Sequence, residues 1–245
     1  MSVIIPKEIR NTFDERLDFE VHPGTGDRVV LIGHGVTGSK DRPFLVELAK
    51  GLAGAGVTAV RFSFAGNGRS DGDFTESTIL KEVEDLGRMI DAFTPAPIGY
   101  VGHSLGAAVG ALRASTDPRI TFLVSLAGMA HTAAFVEREF GAVTPDNGYM
   151  WEDPACPLSQ LFVDDMKRVS VDEAARQITV PWLLVHGLAD DVVPPRESRD
   201  LCEIAAGPTR LEMIEEADHV FSGAATDRMV RLVVDWVLRL DEKQP

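Results

Sequence analysis

Short apolar, β-branched runs alternate with helix-length segments along this 245-residue chain, and that alternation limits its fold more than any other feature. Runs that are apolar on both faces suit strands covered on both sides, which is how a parallel sheet is built. Strands are expected at 28–33, 58–63, 98–103, 120–127, 180–186 and 209–214, with a weaker one at 17–21. Helices are expected at 42–55, 78–93, 105–115 and 227–240. In the last of these Met229, Leu232, Val233, Trp236 and Val237 recur at spacings of three and four, the mark of one buried face. The fold class is therefore α/β, a mostly parallel sheet of eight-stranded type flanked by helices. This length suits a single domain over 1–245.

One stretch breaks the rhythm. Between the strands ending at 127 and starting at 180 the periodicity is weak, and the connection is too long for an ordinary crossover. It carries His131, Phe135, Phe140 and the triplet Tyr149-Met150-Trp151. We read 128–175 as an inserted cap over a site, with His131, Tyr149 and Trp151 as candidate substrate contacts. The plainer alternative is a crossover whose extra helices pack on the sheet.

Gly102-His103-Ser104-Leu105-Gly106 fits G-x-S-x-G and falls between an expected strand and an expected helix. So tight a turn lifts a serine hydroxyl above the sheet edge, and its neighbours must be small. Ser104 is the candidate nucleophile. A serine hydroxyl needs a base within hydrogen-bond reach. His103 is adjacent, but neighbouring side chains on a strand point to opposite faces.

Reactive groups in open parallel sheets gather at the carboxyl ends of strands. Of the six histidines, His219 lies in a loop between an expected strand and the final helix. It is the candidate base. His34 and His186 stand in His-Gly pairs at strand ends, where a ring more often bonds locally, and His22 follows only the weak early strand. The strand 180–186 runs into Gly187-Leu188-Ala189-Asp190-Asp191, and one of these two acids should orient His219. The residues alone leave Asp190 and Asp191 equally placed. Asp218 is set aside, because adjacency aims a carboxylate poorly at the next ring. The order Ser, Asp, His separates this chain from the chymotrypsin and subtilisin arrangements.

Acyl transfer builds charge on a carbonyl oxygen that backbone N–H groups must meet. The amide of Leu105, at a helix start, is one candidate oxyanion donor. The loop His34-Gly35-Val36-Thr37-Gly38 supplies the second, assigned to the Val36 amide. The stretch 64–72 is rich in glycine but departs from the G-x-x-x-x-G-K-[ST] phosphate pattern.

Composition removes several partners. With 38 acidic against 24 basic residues the formal net charge is −14, which repels nucleic acid and anionic membrane. No apolar run reaches the roughly 20 residues of a membrane span, and Lys7, Glu8 and Arg10 interrupt any leader-like N-terminal run. A cytoplasmic location is expected, with Cys156 and Cys202 as free thiols. No Cys/His cluster suggests a metal.

With these pieces in view the chain resembles the α/β-hydrolase family over nearly its whole length. The matching segments are the His-Gly-x-Thr-Gly loop at 34–38, the stretch 61–70, the Gly-x-Ser-x-Gly at 102–106, His186-Gly187-Leu188-Ala189-Asp190-Asp191-Val192-Val193-Pro194, and Ala217-Asp218-His219. The resemblance implies the α/β-hydrolase fold and places the catalytic acid on Asp190. Within the family the chain looks most like small cytoplasmic cinnamoyl and feruloyl esterases and their serine-aminopeptidase-like relatives. That implies a serine hydrolase acting on a small-molecule ester, with aromatic or short acyl groups, and without metal or organic cofactor. An acyltransferase, a perhydrolase and an amidase or peptidase share such a triad. A non-catalytic ligand-binding module shares the fold, and a homodimer is left open.

Overall fold

The structure is a computed structural model that describes residues 3–241. Seven strands form one sheet in the order β1-β3-β2-β4-β5-β6-β7. They are β1 Phe19–His22, β2 Val29–Gly33, β3 Thr58–Phe62, β4 Ile98–His103, β5 Ile120–Leu126, β6 Trp182–Gly187 and β7 Thr209–Ile214. Only β1 runs antiparallel, on β3 at one edge. The sheet has seven strands and not eight: ahead of β1 the chain forms an isolated Arg10–Arg16 bridge instead of a strand. The helices are α1 Pro43–Gly54, α2 Ile79–Phe93, α3 Leu105–Ala114, α4 Thr132–Phe140, α5 Gln160–Arg168, α6 Val171–Ala175, α7 Arg196–Ile204 and α8 Ala224–Asp241.

The period-2 geometry of the strands explains why both faces are buried. In β2, Val29 and Leu31 join one core while Val30 and Ile32 join the other. In β6, Trp182 and Leu184 face the first core, and Leu183 and Val185 the second. The second core lies under α1 and α8, through Leu45, Leu48, Val233 and Val237. Each such side chain contributes roughly 2 kcal/mol of burial. The indole N–H of Trp182 donates to Ser125 Oγ at 3.0 Å, so even the largest buried ring leaves no unmet donor.

Two expectations shift. Helix α7 was absent from the sequence reading because Arg196, Glu197, Arg199 and Asp200 mask its periodicity; Leu201 is its buried apolar anchor. The connection between β5 and β6 divides in two. Its later part packs α6 on α3 and α5 against α2 and α4. Its earlier part, α4 and the turn Met150–Glu152, reaches the carboxyl edge of the sheet.

Strand order positions the site. The chain leaves β2 toward β3 on one side and returns to β4 on the other, so the loops after β2 and β4 separate at a topological switch point. Gly33 and Gly102 pair in register there, which brings the two loops together. The turn after β4 tolerates no bulk: a Cβ on Gly102 would sit 2.2 Å from the Gly106 carbonyl oxygen, and one on Gly106 would sit 2.3 Å from that of His34. We therefore expect Gly102→Ala to lower stability by about 2 kcal/mol or more in urea unfolding, the cost of overpacking against backbone. Wild-type stability in that variant would show that the turn yields more easily than its contacts indicate.

Candidate active site

Ser104 occupies the turn between β4 and α3 with φ 53° and ψ −118°. A non-glycine residue holds such angles only under constraint. Here its N–H donates to Leu126 at 3.0 Å, and its carbonyl accepts from Ala107 at 3.0 Å and Met129 at 3.2 Å. Its side chain makes no cap bond to the first turn of α3. Among the described residues neither the Leu105 nor the Val36 N–H has an acceptor in the chain. Both residues flank the same turn: Gly35 lies so near that an added Cβ would come within 2.7 Å of Ser104 Cβ.

The loop that carries Val36 is braced by a buried ring. His34 Nδ1 donates to the Gly35 carbonyl at 2.8 Å, and its Nε2 accepts from the Phe64 N–H at 3.1 Å. Burial pushes this imidazole down to about 4, outweighing the bond to Gly35, so it stays neutral. Thr37 then takes φ 55°, and the Gly38 N–H closes the turn on Gly35 at 3.0 Å.

Asp190, and not Asp191, meets His219. The His219 Nδ1–H donates to Asp190 Oδ2 at 2.8 Å. The Val192 and Val193 amides donate to Asp190 Oδ1, each at 2.9 Å. His186 Nε2 lies 3.2 Å from Oδ2 and also donates to the Val193 carbonyl at 3.0 Å, while its Nδ1 takes the Ser198 hydroxyl at 2.6 Å. Burial alone would raise the Asp190 carboxyl, but the bonds from His186 and His219 win and hold it well below the usual range. It is a fixed anion. Asp191 is exposed to solvent.

The Nε2 atom of His219 is left without a partner among the described residues, and it shares a cleft of about 230 Å³ with Ser104. No hydrogen bond joins the two side chains in this structure. In sites without substrate such bonds are often long and tighten on binding. Gly35, Val36, Phe135, Trp151 and Val192 also line the cleft.

The other candidates separate. Trp151 lines the cleft, because φ 50° and 60° at Trp151 and Glu152 turn the chain back on itself. Its ring packs on Phe140 at 4.9 Å, and its N–H donates to Glu139 at 3.2 Å. His131 and Tyr149 do not reach the cleft. His131 is tied to Asp200 at 3.0 Å, and its amide donates to Glu197. Tyr149 is bridged to Pro157, outside the cleft lining. Sequence reasoning missed His103. Its buried ring lines the cleft, donates from Nε2 to the His219 carbonyl at 2.9 Å, and lies 4.7 Å from the His219 ring. Strand alternation correctly separates it from the Ser104 hydroxyl but carries no hint of a contact 116 residues away.

The sequence matches the Alpha/beta hydrolase family profile over residues 29–236. The chain belongs to that family. An uncharacterized protein of Mycobacterium tuberculosis (strain ATCC 25618 / H37Rv) is 30% identical over 206 residues, 80% of this chain and 64% of that protein. The human mitochondrial palmitoyl-protein thioesterase ABHD10 is 23% identical over 192 residues, 74% of this chain and 63% of that protein. The chain thus spans under two thirds of the length of these two relatives. Among solved α/β hydrolases, Est1E from Butyrivibrio proteoclasticus with ferulic acid bound superposes with a TM-score of 0.87 at 22% identity, covering 97% of this chain and 100% of that one. Mouse ABHD10 superposes at 0.78 and 19% identity, covering 99% and 98%. At such identities the superpositions speak for the fold.

His34 gives a pH signature. A histidine lowered from 6.5 to about 4 on folding adds stability that is full above 6.5 and lost as pH falls toward 4. We expect the stability advantage of wild type over His34→Gln to shrink by about 3 kcal/mol across that window. Comparing the variants cancels the opposite contribution of Asp85, whose buried carboxyl is pushed up to about 6. A difference that stays constant between pH 7 and pH 4 in chemical denaturation would contradict a neutral His34.

Proposed function

We propose that this α/β hydrolase cleaves carboxylic esters of small molecules through an acyl-enzyme on Ser104, with no metal or organic cofactor. One observation carries the reading. A strained serine and the unpartnered Val36 amide border the same cleft as an imidazole held by a buried, fully bonded carboxylate, and the unpartnered Leu105 amide directly follows that serine.

The chemistry follows from that arrangement. His219 donates to Asp190 through Nδ1, so its Nε2 lone pair is free to take the Ser104 proton. The serine oxygen attacks the ester carbonyl, and the Val36 and Leu105 amides bind the oxyanion. The imidazolium gives its proton to the leaving alcohol. Water, deprotonated by the same nitrogen, then attacks the acyl-enzyme and releases the acid and Ser104. Asp190 stays ionised throughout, and His103 holds the His219 loop at its carbonyl. The segment 128–175 acts as a cap through Phe135 and Trp151. Their rings favour an aromatic or short acyl group, in keeping with the ferulic acid bound to Est1E. A thioester carbonyl suits the same machinery, and the name of human ABHD10 points that way.

We expect Ser104→Ala to fold normally and to lose hydrolysis of p-nitrophenyl butyrate by a factor on the order of 10⁴ or more, together with all fluorophosphonate labelling. Asp190→Asn should keep the serine labelled slowly and cut turnover by about 10³-fold or more. Full turnover in Ser104→Ala would remove Ser104 from the mechanism.

A further inference from the structure

Arg42 stands directly before α1 and lines the same cleft as Ser104 and His219. Among the described residues bordering the cleft it is the single Lys or Arg, and no carboxylate borders it. Its guanidinium donates to the Thr37 carbonyl at 3.2 Å and makes no ion pair among the described residues. The nearby acids are engaged elsewhere. Asp41 turns to Lys40 at 2.9 Å and Arg61 at 3.1 Å. Asp218 accepts from the amides of Val220 and Ser222, and Asp190 lies behind His219.

A bare guanidinium facing an active-site cleft is unusual chemistry for a chain of net charge −14. The bond to Thr37 fixes its position and leaves further N–H groups unspent, which is the geometry a carboxylate accepts in two-point fashion. Its charge is also felt, after the larger effect of burial, at His34 and His103 on the sheet rim and at Cys156 in the β5–β6 connection. Beside Ser104, His103, His219 and Thr37, the wall carries an apolar face formed by Phe135, Trp151, Val192 and Val220. A ligand that satisfies both sides is amphipathic: an apolar body against the rings and an anion beside Arg42.

We propose that Arg42 is a specificity-determining residue that selects esters carrying a free carboxylate away from the scissile bond. The assignment rests on the ester-hydrolase reading above. It also gives the substrate class that reading leaves open: half-esters of dicarboxylic acids, or esters of carboxylate-bearing alcohols.

Two matched substrate pairs separate these sources. On the acyl side, mono-p-nitrophenyl glutarate is compared with p-nitrophenyl pentanoate. On the alcohol side, 4-carboxyphenyl butyrate is compared with phenyl butyrate. In wild type the charged member of at least one pair should have the higher kcat/KM, by about tenfold, mostly through KM. Added salt should erode the preference. Arg42→Gln retains a donor for Thr37 but no charge, and should reduce that ratio about tenfold, while Arg42→Lys restores part of it. Equal losses on both members of a pair would make Arg42 a mere brace of the Thr37 loop and overturn the proposal. So would a wild-type preference for the neutral member in both pairs. Calorimetric titration of Ser104→Ala with mono-p-nitrophenyl glutarate, with and without Arg42→Gln, reads the same charge recognition without turnover. Loss of affinity there alongside inert esters would sink the hydrolytic reading and keep the carboxylate site; unchanged affinity would sink the site.

Discussion

The turn at Ser104 is the constraint on which the rest of the molecule depends. Holding a serine at φ 53° costs about 1–3 kcal/mol, and local sequence offers nothing to offset it. The compensation is tertiary. Leu126 and Met129, from the far side of β5, bond the Ser104 backbone, and Gly102, Gly106 and Gly35 vacate the volume that side chains would fill. The parallel pairing of β4 between β2 and β5 is what delivers those neighbours. A sheet in any other order would leave the serine free to relax and would part the loop after β2 from the turn after β4.

Around that turn the histidines do different work, separated by their surroundings. His34 and His103 are buried beyond easy protonation and serve as neutral struts, one under the Val36 loop and one under the His219 loop. His186 spends both nitrogens on Ser198, Val193 and Asp190, so it stiffens the acid and has no lone pair to offer a substrate. His219 has Nδ1 anchored on Asp190 while its Nε2 has no partner among the described residues, and its ring lines the cleft. A single carboxylate, Asp190, connects His186 to His219, so the acid is fixed by donors from its own loop before it meets the base.

Much of this was legible in the sequence, for identifiable reasons. β2, β4 and β6 read correctly because both of their faces are buried, so every residue carries signal. The strand-to-helix turn at Ser104 was legible because a turn so crowded restricts its neighbours to small residues. The loop position of His219 followed from the rule that reactive groups gather after strands, while the residues alone did not separate Asp190 from Asp191, since two adjacent acids differ only in which one the loop buries against the ring. The illegible parts share a cause. Helix α7 is anchored by few apolar residues, and His131, Tyr149 and Trp151 lie in a connection whose path depends on positive-φ residues. Aromatic content there signals contact with something, but not which ring turns inward. Phe135 and Trp151 line the cleft and Tyr149 does not, although Trp151 and Tyr149 are about equally exposed, and the backbone twist at 151–152 that accompanies the difference is not encoded in composition.

The two walls of the cleft therefore differ in kind. The polar wall comes from sheet-rim loops held by short-range bonds to buried groups, and its positions are fixed by the core. The aromatic part of the apolar wall comes from the β5–β6 connection, where Trp151 packs on Phe135 and Phe140, and Val192 and Val220 complete it from the loops after β6 and β7. Substitutions in the second wall can change what is bound without moving the atoms that react. Arg42 belongs by sequence to the first wall and by exposure to the mouth, so its charge sits on a rigid support beside an adaptable surface. A cation so placed discriminates among ligands by where they carry charge, while the rings discriminate by shape, and the two selections act on one molecule independently.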